Sequence, residues 1–170
     1  LLYVALLMIG FTIFLTLFRK DNFDNYRSVL MLYSLILIFV VVASLMVDHN
    51  VLHVYIVPFT MVPIFIRVFM DSRTAFMAHA TMILICACLM QHPLEFIAVE
   101  LAAGLVAIFS LRELSSRSQL FWTAVFVTLA AGLTNLALEW IRDDDLARLH
   151  LSEYNYIAIN GMLLFCSYLA

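Results

Sequence analysis

The chain has 170 residues, of which 65% are hydrophobic and 12% charged, and its formal net charge is −3. Soluble domains carry about 25% charged residues, so a water-soluble fold of this length could not bury so much apolar surface. The lack of a basic charge excess also argues against nucleic acid as a partner. The composition predicts a single membrane domain over residues 1–170, in which lipid covers the outward faces of the helices.

Seven apolar segments follow one another along the chain, and each is close to the length that crosses a bilayer. A membrane-spanning helix needs about 20 residues, with a range of about 17–25. Strands of a membrane barrel would alternate apolar and polar residues, whereas these segments are apolar all round. The sequence therefore predicts an all-α, polytopic membrane helix bundle with about seven transmembrane helices. The predicted spans are Leu1–Phe18, Ser28–Val47, Val54–Met70, Thr74–Gln91, Leu94–Leu111, Gln119–Leu138 and Tyr154–Ala170.

The third and fourth spans are short, and Pro58 and Pro63 interrupt the third. A re-entrant hairpin is the alternative to two full crossings. The hairpin would move Arg67, Asp71 and Arg73 toward the middle of the membrane, where each charge costs about 2.5–3.5 kcal/mol. Full crossing is therefore favoured, and Asp71 is then expected to cap the start of the fourth helix.

The placement of Lys and Arg predicts the orientation of the spans. Basic residues are retained on the cytoplasmic side of short connections. The first, third and fifth connections hold seven of the nine basic residues, while the second and fourth hold none. The chain is thus expected to begin outside the cell and to end in the cytoplasm. The residues that determine this orientation are Arg19, Lys20, Arg27, Arg67, Arg73, Arg112 and Arg117.

Three polar side chains lie at similar depths in the last three predicted spans, and they are Glu100, Asn135 and Asn160. If these spans adjoin, the three residues could form one intramembrane polar cluster, with the carboxyl group accepting hydrogen bonds from the amides. Hydrogen bonding that holds the helices together is one interpretation. Ligand or proton sensing is the other, because an ionisable residue inside a membrane is expensive to keep there. His79, near one end of the fourth span, is predicted to be structural and to bond a carboxylate or a carbonyl.

No catalytic or metal-binding motif is recognised in the chain. His49 and His53 have helical spacing beside Asp48, but no third strong ligand is nearby. Asp143–Asp145 lacks the alternation and the glycine of a calcium loop, so we expect a solvated acidic loop. Phosphate-binding loops, zinc-protease helices, serine nucleophile elbows and the His-Asp dipeptide are all missing. We therefore expect no catalytic residue, metal or cofactor within this chain.

Several segments together resemble the transmembrane region of bacterial seven-transmembrane receptors with an intracellular HD hydrolase domain, in the form found in Bacteroidetes. These segments are Leu17–Arg27, Tyr55–Phe59 with Asp71–Phe76, and Gly104–Ala107 with Leu111–Ser118. The resemblance implies a protein of the bacterial inner membrane with an extracellular domain upstream and a cytosolic HD domain downstream. It also implies that the HD domain is a metal-dependent phosphodiesterase that cleaves cyclic di-AMP. Both flanking domains, and the divalent metal, are expected outside these 170 residues.

Three functions remain open on these grounds. The first is a sensor and transducer that couples the extracellular domain to hydrolysis in the cytosol. The second is a small-solute transporter or channel, for which broken helices near Pro58 and Pro63 would be suited. The third is a passive membrane anchor. The expected partners are the lipid bilayer and the protein's own extracellular and HD domains, and a homo-oligomer is left open.

Overall fold

A computed structural model describes residues 2–18, 26–49, 56–111, 117–142 and 151–169. Within these ranges the chain forms seven α-helices and no strand, which confirms the predicted all-α class. The helices are α1 (Leu2–Phe18), α2 (Tyr26–His49), α3 (Met61–Phe69), α4 (Ser72–Ala87), α5 (Pro93–Ser110), α6 (Arg117–Arg142) and α7 (Leu151–Leu169).

Five of these helices have the apolar composition of a membrane protein over most of their length. Three contain a stretch long and apolar enough to cross a bilayer: Tyr26–Val47, Pro93–Ser110 and Phe121–Ile141. Leu2–Phe18 and Ser72–Ala87 are shorter apolar helices of 17 and 16 residues. At 1.5 Å per residue, the two shorter helices reach about 24–26 Å, a little less than the hydrocarbon thickness of about 30 Å.

The third predicted helix begins later than expected. Residues 56–60 form turns, and α3 contains only the nine residues Met61–Phe69. Pro58 disfavours helical backbone at Val57, so an α-helix is not expected to continue through this position. Pro63 lacks an N–H group, and it lies in the first turn of α3, where that group would have no intrahelical partner. The two prolines therefore determine where α3 starts, and within the described part of the predicted span Val54–Met70 the α-helix covers only Met61–Phe69.

The fourth helix occupies the centre of the bundle. It contacts α1, α2, α3 and α5, and buried residues cover most of its circumference, while Met77, Ala80 and Leu84 on the remaining face are half-buried. The predicted N-cap is confirmed, because Asp71 Oδ2 accepts hydrogen bonds from the backbone N–H groups of Arg73 (3.0 Å) and Thr74 (3.2 Å). The Thr74 hydroxyl also donates to Asp71 Oδ1 at 2.8 Å. This cap positions the start of α4 directly after the short turn that follows α3.

Two apolar clusters hold the bundle together. The larger joins α1, α2, α3, α4 and α5 with the turns before α3, and in it the rings of Phe59 and Phe96 pack edge to face at 5.4 Å. The smaller joins α3, α5, α6 and α7 through residues such as Ile64, Ala103 and Leu164. Outward-facing side chains such as Leu2 and Ile141 are largely exposed and apolar. Such a surface suits lipid, which can cover apolar side chains but offers no partner to polar backbone.

Candidate functional site

A small polar cavity lies where the start of α3 meets α5, α6 and α7. Its polar lining comes from Thr60, Glu100, Thr128 and Asn160, and Gly161 completes this part of the wall. Apolar side chains of α5, α6 and α7 form the remainder. The cavity measures about 20 Å³. A water molecule needs about 10–15 Å³ of such space, so the cavity has room for about one water-sized particle.

Glu100 contributes a carboxyl group to the lining of this cavity. Its side chain is only 4% exposed, which places an ionisable group deep inside the bundle. Among the residues that the structure describes, we find no side chain that donates a hydrogen bond to this carboxyl group and no basic side chain paired with it. A buried carboxylate without a positive partner is strongly unfavourable, so Glu100 is either protonated or paired with a cation that enters the cavity.

Asn160 connects α7 to the non-helical turns before α3. Its Nδ2 group donates to the backbone carbonyl of Val57 at 3.1 Å. The same carbonyl accepts the N–H group of Phe59 at 2.8 Å, so it has two donors. Irregular backbone is tolerated at membrane depth only when protein or water satisfies its polar groups. The amide of Asn160 therefore helps to stabilise the turn at residues 56–60.

Thr60 adds a hydroxyl group that has no protein partner within the described part of the chain. The residue is 3% exposed, and its Oγ1 atom is buried without a hydrogen bond. A buried hydroxyl left unsatisfied costs about 1–3 kcal/mol. Because Thr60 lines the cavity beside Glu100 and Asn160, an occupant of this cavity is the available partner for the hydroxyl.

His79 joins α4 to α5 next to the site. The imidazole is fully buried, and Nε2 lies 3.0 Å from the backbone carbonyl oxygen of Glu100. A carbonyl only accepts hydrogen bonds, so Nε2 must carry the proton and donate. The ring lies directly over Gly104, where a Cβ atom would overlap it. A carbonyl is one of the two partners predicted for His79, and Gly104 provides the space for this bond.

A second close approach brings α7 onto α6. Thr128 bonds its hydroxyl to the Ala124 carbonyl of its own helix at 2.8 Å. Its side chain fills the space over Gly161, where an added Cβ would overlap Oγ1. Small residues at helix interfaces of this kind allow the backbones to come close together. The contact lies in the wall of the cavity, so it also controls the distance of α7 from Glu100.

The structure brings together two of the three polar residues predicted to cluster. Glu100 and Asn160 line the same cavity, whereas Asn135 is not part of its lining. Asn135 is buried on α6, one turn beyond the lining residue Ala131. Thr60 and Thr128 complete the polar wall instead. Thr60 was missed because its position depends on the turn that Pro58 imposes, and only the prolines before α3 signalled it.

Several residues named from the sequence fall outside the described residues: Arg19, Lys20, His53, Arg112 and Asp143–Asp145. The side chains of Asp48, His49 and Arg117 do so as well. Arg27, Arg67 and Arg73 are described, and Arg67 donates to the Met70 carbonyl at 3.5 Å after α3. Among the described residues, no group of three His, Cys, Asp or Glu side chains is arranged to hold a metal ion.

Comparison with known proteins identifies one family. The sequence profile of the family described as "7TM receptor with intracellular HD hydrolase" matches residues 1–170. No curated protein and no solved structure matches the chain. The match covers every residue and agrees with the apolar helices and with the resemblance found in the sequence. The chain is therefore a membrane protein and belongs to the family of seven-transmembrane receptors with an intracellular HD hydrolase.

Proposed function

We propose that this chain is the membrane-spanning transducer of a receptor that couples an extracellular domain to cyclic di-AMP hydrolysis by a cytosolic HD domain. In this proposal the protein lies in the bacterial inner membrane, and α7 continues toward the HD domain. The family description names a receptor and an intracellular HD hydrolase, and it supports these two parts of the proposal. Cyclic di-AMP as the substrate rests on the resemblance of the membrane segments, and any divalent metal would belong to the HD domain.

The observation that carries the proposal is the hydrogen bond from Asn160 to the Val57 carbonyl. It links the last helix to the turns before α3, which are held by short local hydrogen bonds and not by a continuous helix. Transduction requires an element with two arrangements that differ in their interactions. In this proposal the turn at residues 56–60 is that element, because a shift of these residues would break or change its bond to α7.

The size of the cavity favours transduction over transport. Ligand sites are typically about 300–1,000 Å³, whereas the space beside Glu100 is about 20 Å³. The broken start of α3 is packed against the bundle, since Val57, Phe59 and Thr60 are buried.

Replacing Asn160 with leucine tests the proposed coupling. The change removes the donor to Val57 while keeping a side chain of similar size, and an interhelical amide bond contributes about 0.6–2 kcal/mol. We expect the rate of cyclic di-AMP hydrolysis by the full-length protein in liposomes to change about threefold or more. Asn135→Leu is the matched control, because Asn135 is a buried amide that does not line the cavity. Unchanged hydrolysis in Asn160→Leu, at wild-type protein levels, would rule out transduction through this bond.

The proposal also requires the chain to begin outside the cell and to end in the cytoplasm. The basic residues of the odd-numbered connections support this orientation. In proteins whose native cysteines are replaced, Asn50→Cys is expected to react with an impermeant maleimide in intact cells. Asn25→Cys is expected to react only after the membrane is permeabilised. The opposite labelling pattern would contradict the orientation and, with it, the route from an extracellular domain to the cytosol.

A further inference from the structure

We propose that the cavity between α3, α5, α6 and α7 is a binding site for one monovalent cation, with Na⁺ as the ion tested, held by the oxygen atoms of Glu100, Thr60 and Asn160. This proposal does not depend on the coupling to the HD domain, although Asn160 takes part in both. From the sequence we expected a polar cluster of one carboxyl group and two amide groups. In the structure only one of these amides lines the cavity, together with a hydroxyl group that was not part of the expected cluster.

The charge of the site matches a single positive charge. Glu100 is 96% removed from solvent, and no described basic side chain is paired with its carboxyl group. The nearest basic residue along α3 is Arg67, seven residues or about 10 Å beyond Thr60, and its guanidinium donates to the Met70 carbonyl. One carboxylate balances one monovalent ion, whereas a divalent ion would leave a net charge in the bundle.

The chemistry of the wall fits a hard cation. Carboxylate, hydroxyl and amide oxygen atoms are the ligands that such ions prefer. Thr60 Oγ1 is buried without a partner, so an occupant of the cavity would satisfy it. Asn160 lines the cavity while one of its amide N–H groups donates to the Val57 carbonyl, and its amide also carries a carbonyl oxygen of the type that such ions bind.

The size of the cavity limits the occupant to one particle. About 20 Å³ accommodates about one water-sized sphere. An ion of this size that has lost most of its hydration shell fits, whereas a hydrated ion or an organic cation such as choline does not. Choline chloride is therefore a suitable replacement salt at constant ionic strength.

The test measures the thermal unfolding of the full-length protein in detergent at fixed pH, with NaCl replacing choline chloride. Unfolding of the bundle is followed through labelling of Cys86, which is buried in the folded state, after the other cysteines are replaced. A ligand that binds only the folded state raises the unfolding temperature. We expect a saturable rise of about 3–6 °C when Na⁺ reaches about ten times its dissociation constant.

Two pairs of variants connect the effect to this site. Glu100→Gln is expected to abolish the Na⁺ response, while Glu95→Gln, on the same helix but outside the cavity lining, retains it. Thr60→Val is expected to weaken the binding of Na⁺ about tenfold, whereas Thr60→Ser is expected to preserve it. This second pair keeps the test decisive if Glu100→Gln does not fold. A wild-type protein that shows no difference between Na⁺ and choline would overturn the proposal. An equal response in Glu100→Gln or in Thr60→Val would do the same.

Discussion

Replacing Gly104 with alanine is expected to lower the thermal unfolding temperature of the bundle by about 3–10 °C. The added Cβ would overlap the imidazole of His79, and His79 is itself fully buried between α4 and α5. Overpacking in a tight interior costs about 1–3 kcal/mol, and the bond from His79 to the Glu100 carbonyl would be lost as well. For a chain of this size, each kcal/mol corresponds to about 2–4 °C.

The matched control for this change is Gly132→Ala on α6, where a Cβ atom would meet nothing within 4 Å. This variant is expected to be as stable as the wild type or up to about 1 kcal/mol more stable, because alanine favours the helix over glycine. Removing the ring with His79→Ala in the Gly104→Ala background should recover part of the loss, and the double-mutant cycle measures that coupling. Equal unfolding temperatures for Gly104→Ala and Gly132→Ala would contradict the packing seen between α4 and α5.

Replacing Gly161 with alanine is expected to displace α7 from α6 and to change both stability and hydrolytic output. The new Cβ would overlap the Thr128 hydroxyl, at a cost of about 1–3 kcal/mol. Thr128 cannot simply rotate without losing its bond to the Ala124 carbonyl. Because Gly161 follows Asn160, the displacement should also weaken the bond to Val57. We expect a lower unfolding temperature together with an altered rate of cyclic di-AMP hydrolysis in the full-length protein.

Gly10→Ala serves as the control for this second change, since its Cβ would also meet nothing within 4 Å. The compensating variant is Thr128→Ala, which removes the obstructing side chain and should restore both measured properties in the Gly161→Ala background. If Gly161→Ala lowers stability while hydrolysis stays at the wild-type rate, α7 packs as described but does not transmit the change. If neither property changes, the close contact between α6 and α7 is wrong.

Much of the fold follows from patterns that act over short distances. Apolar segments separated by polar connections predicted seven helices, and their number and class agree with the structure. The cap at Asp71 was also predictable, because it depends on residues two and three positions away. The start of α3 was not, since apolar length suggested a helix from Val54 while Pro58 and Pro63 together shift its first residue to Met61.

The site was only partly predictable because it depends on which helices adjoin. Similar depth suggested that Glu100 and Asn160 lie near each other, and both line the cavity in the structure. Depth alone could not distinguish them from Asn135, because the direction in which a side chain points also depends on the rotation of its helix about the helix axis. The unpartnered hydroxyl of Thr60 depends on the turn before α3, and no periodic pattern in the sequence records it. Nor did the sequence connect Gly104 with His79, which are 25 positions apart.

The burial of α4 over most of its circumference has a consequence for the order in which the protein assembles. Its 16 residues include Thr74, His79 and Thr81, all buried, and its contacts come from helices on both sides of it in the chain. Before α5 is synthesised, His79 lacks the carbonyl that accepts its hydrogen bond, so a newly made α4 would expose this ring to lipid or to water. The stable insertion of α4 therefore requires α5 to arrive, and the centre of the bundle is completed only after more than half of the chain has been made.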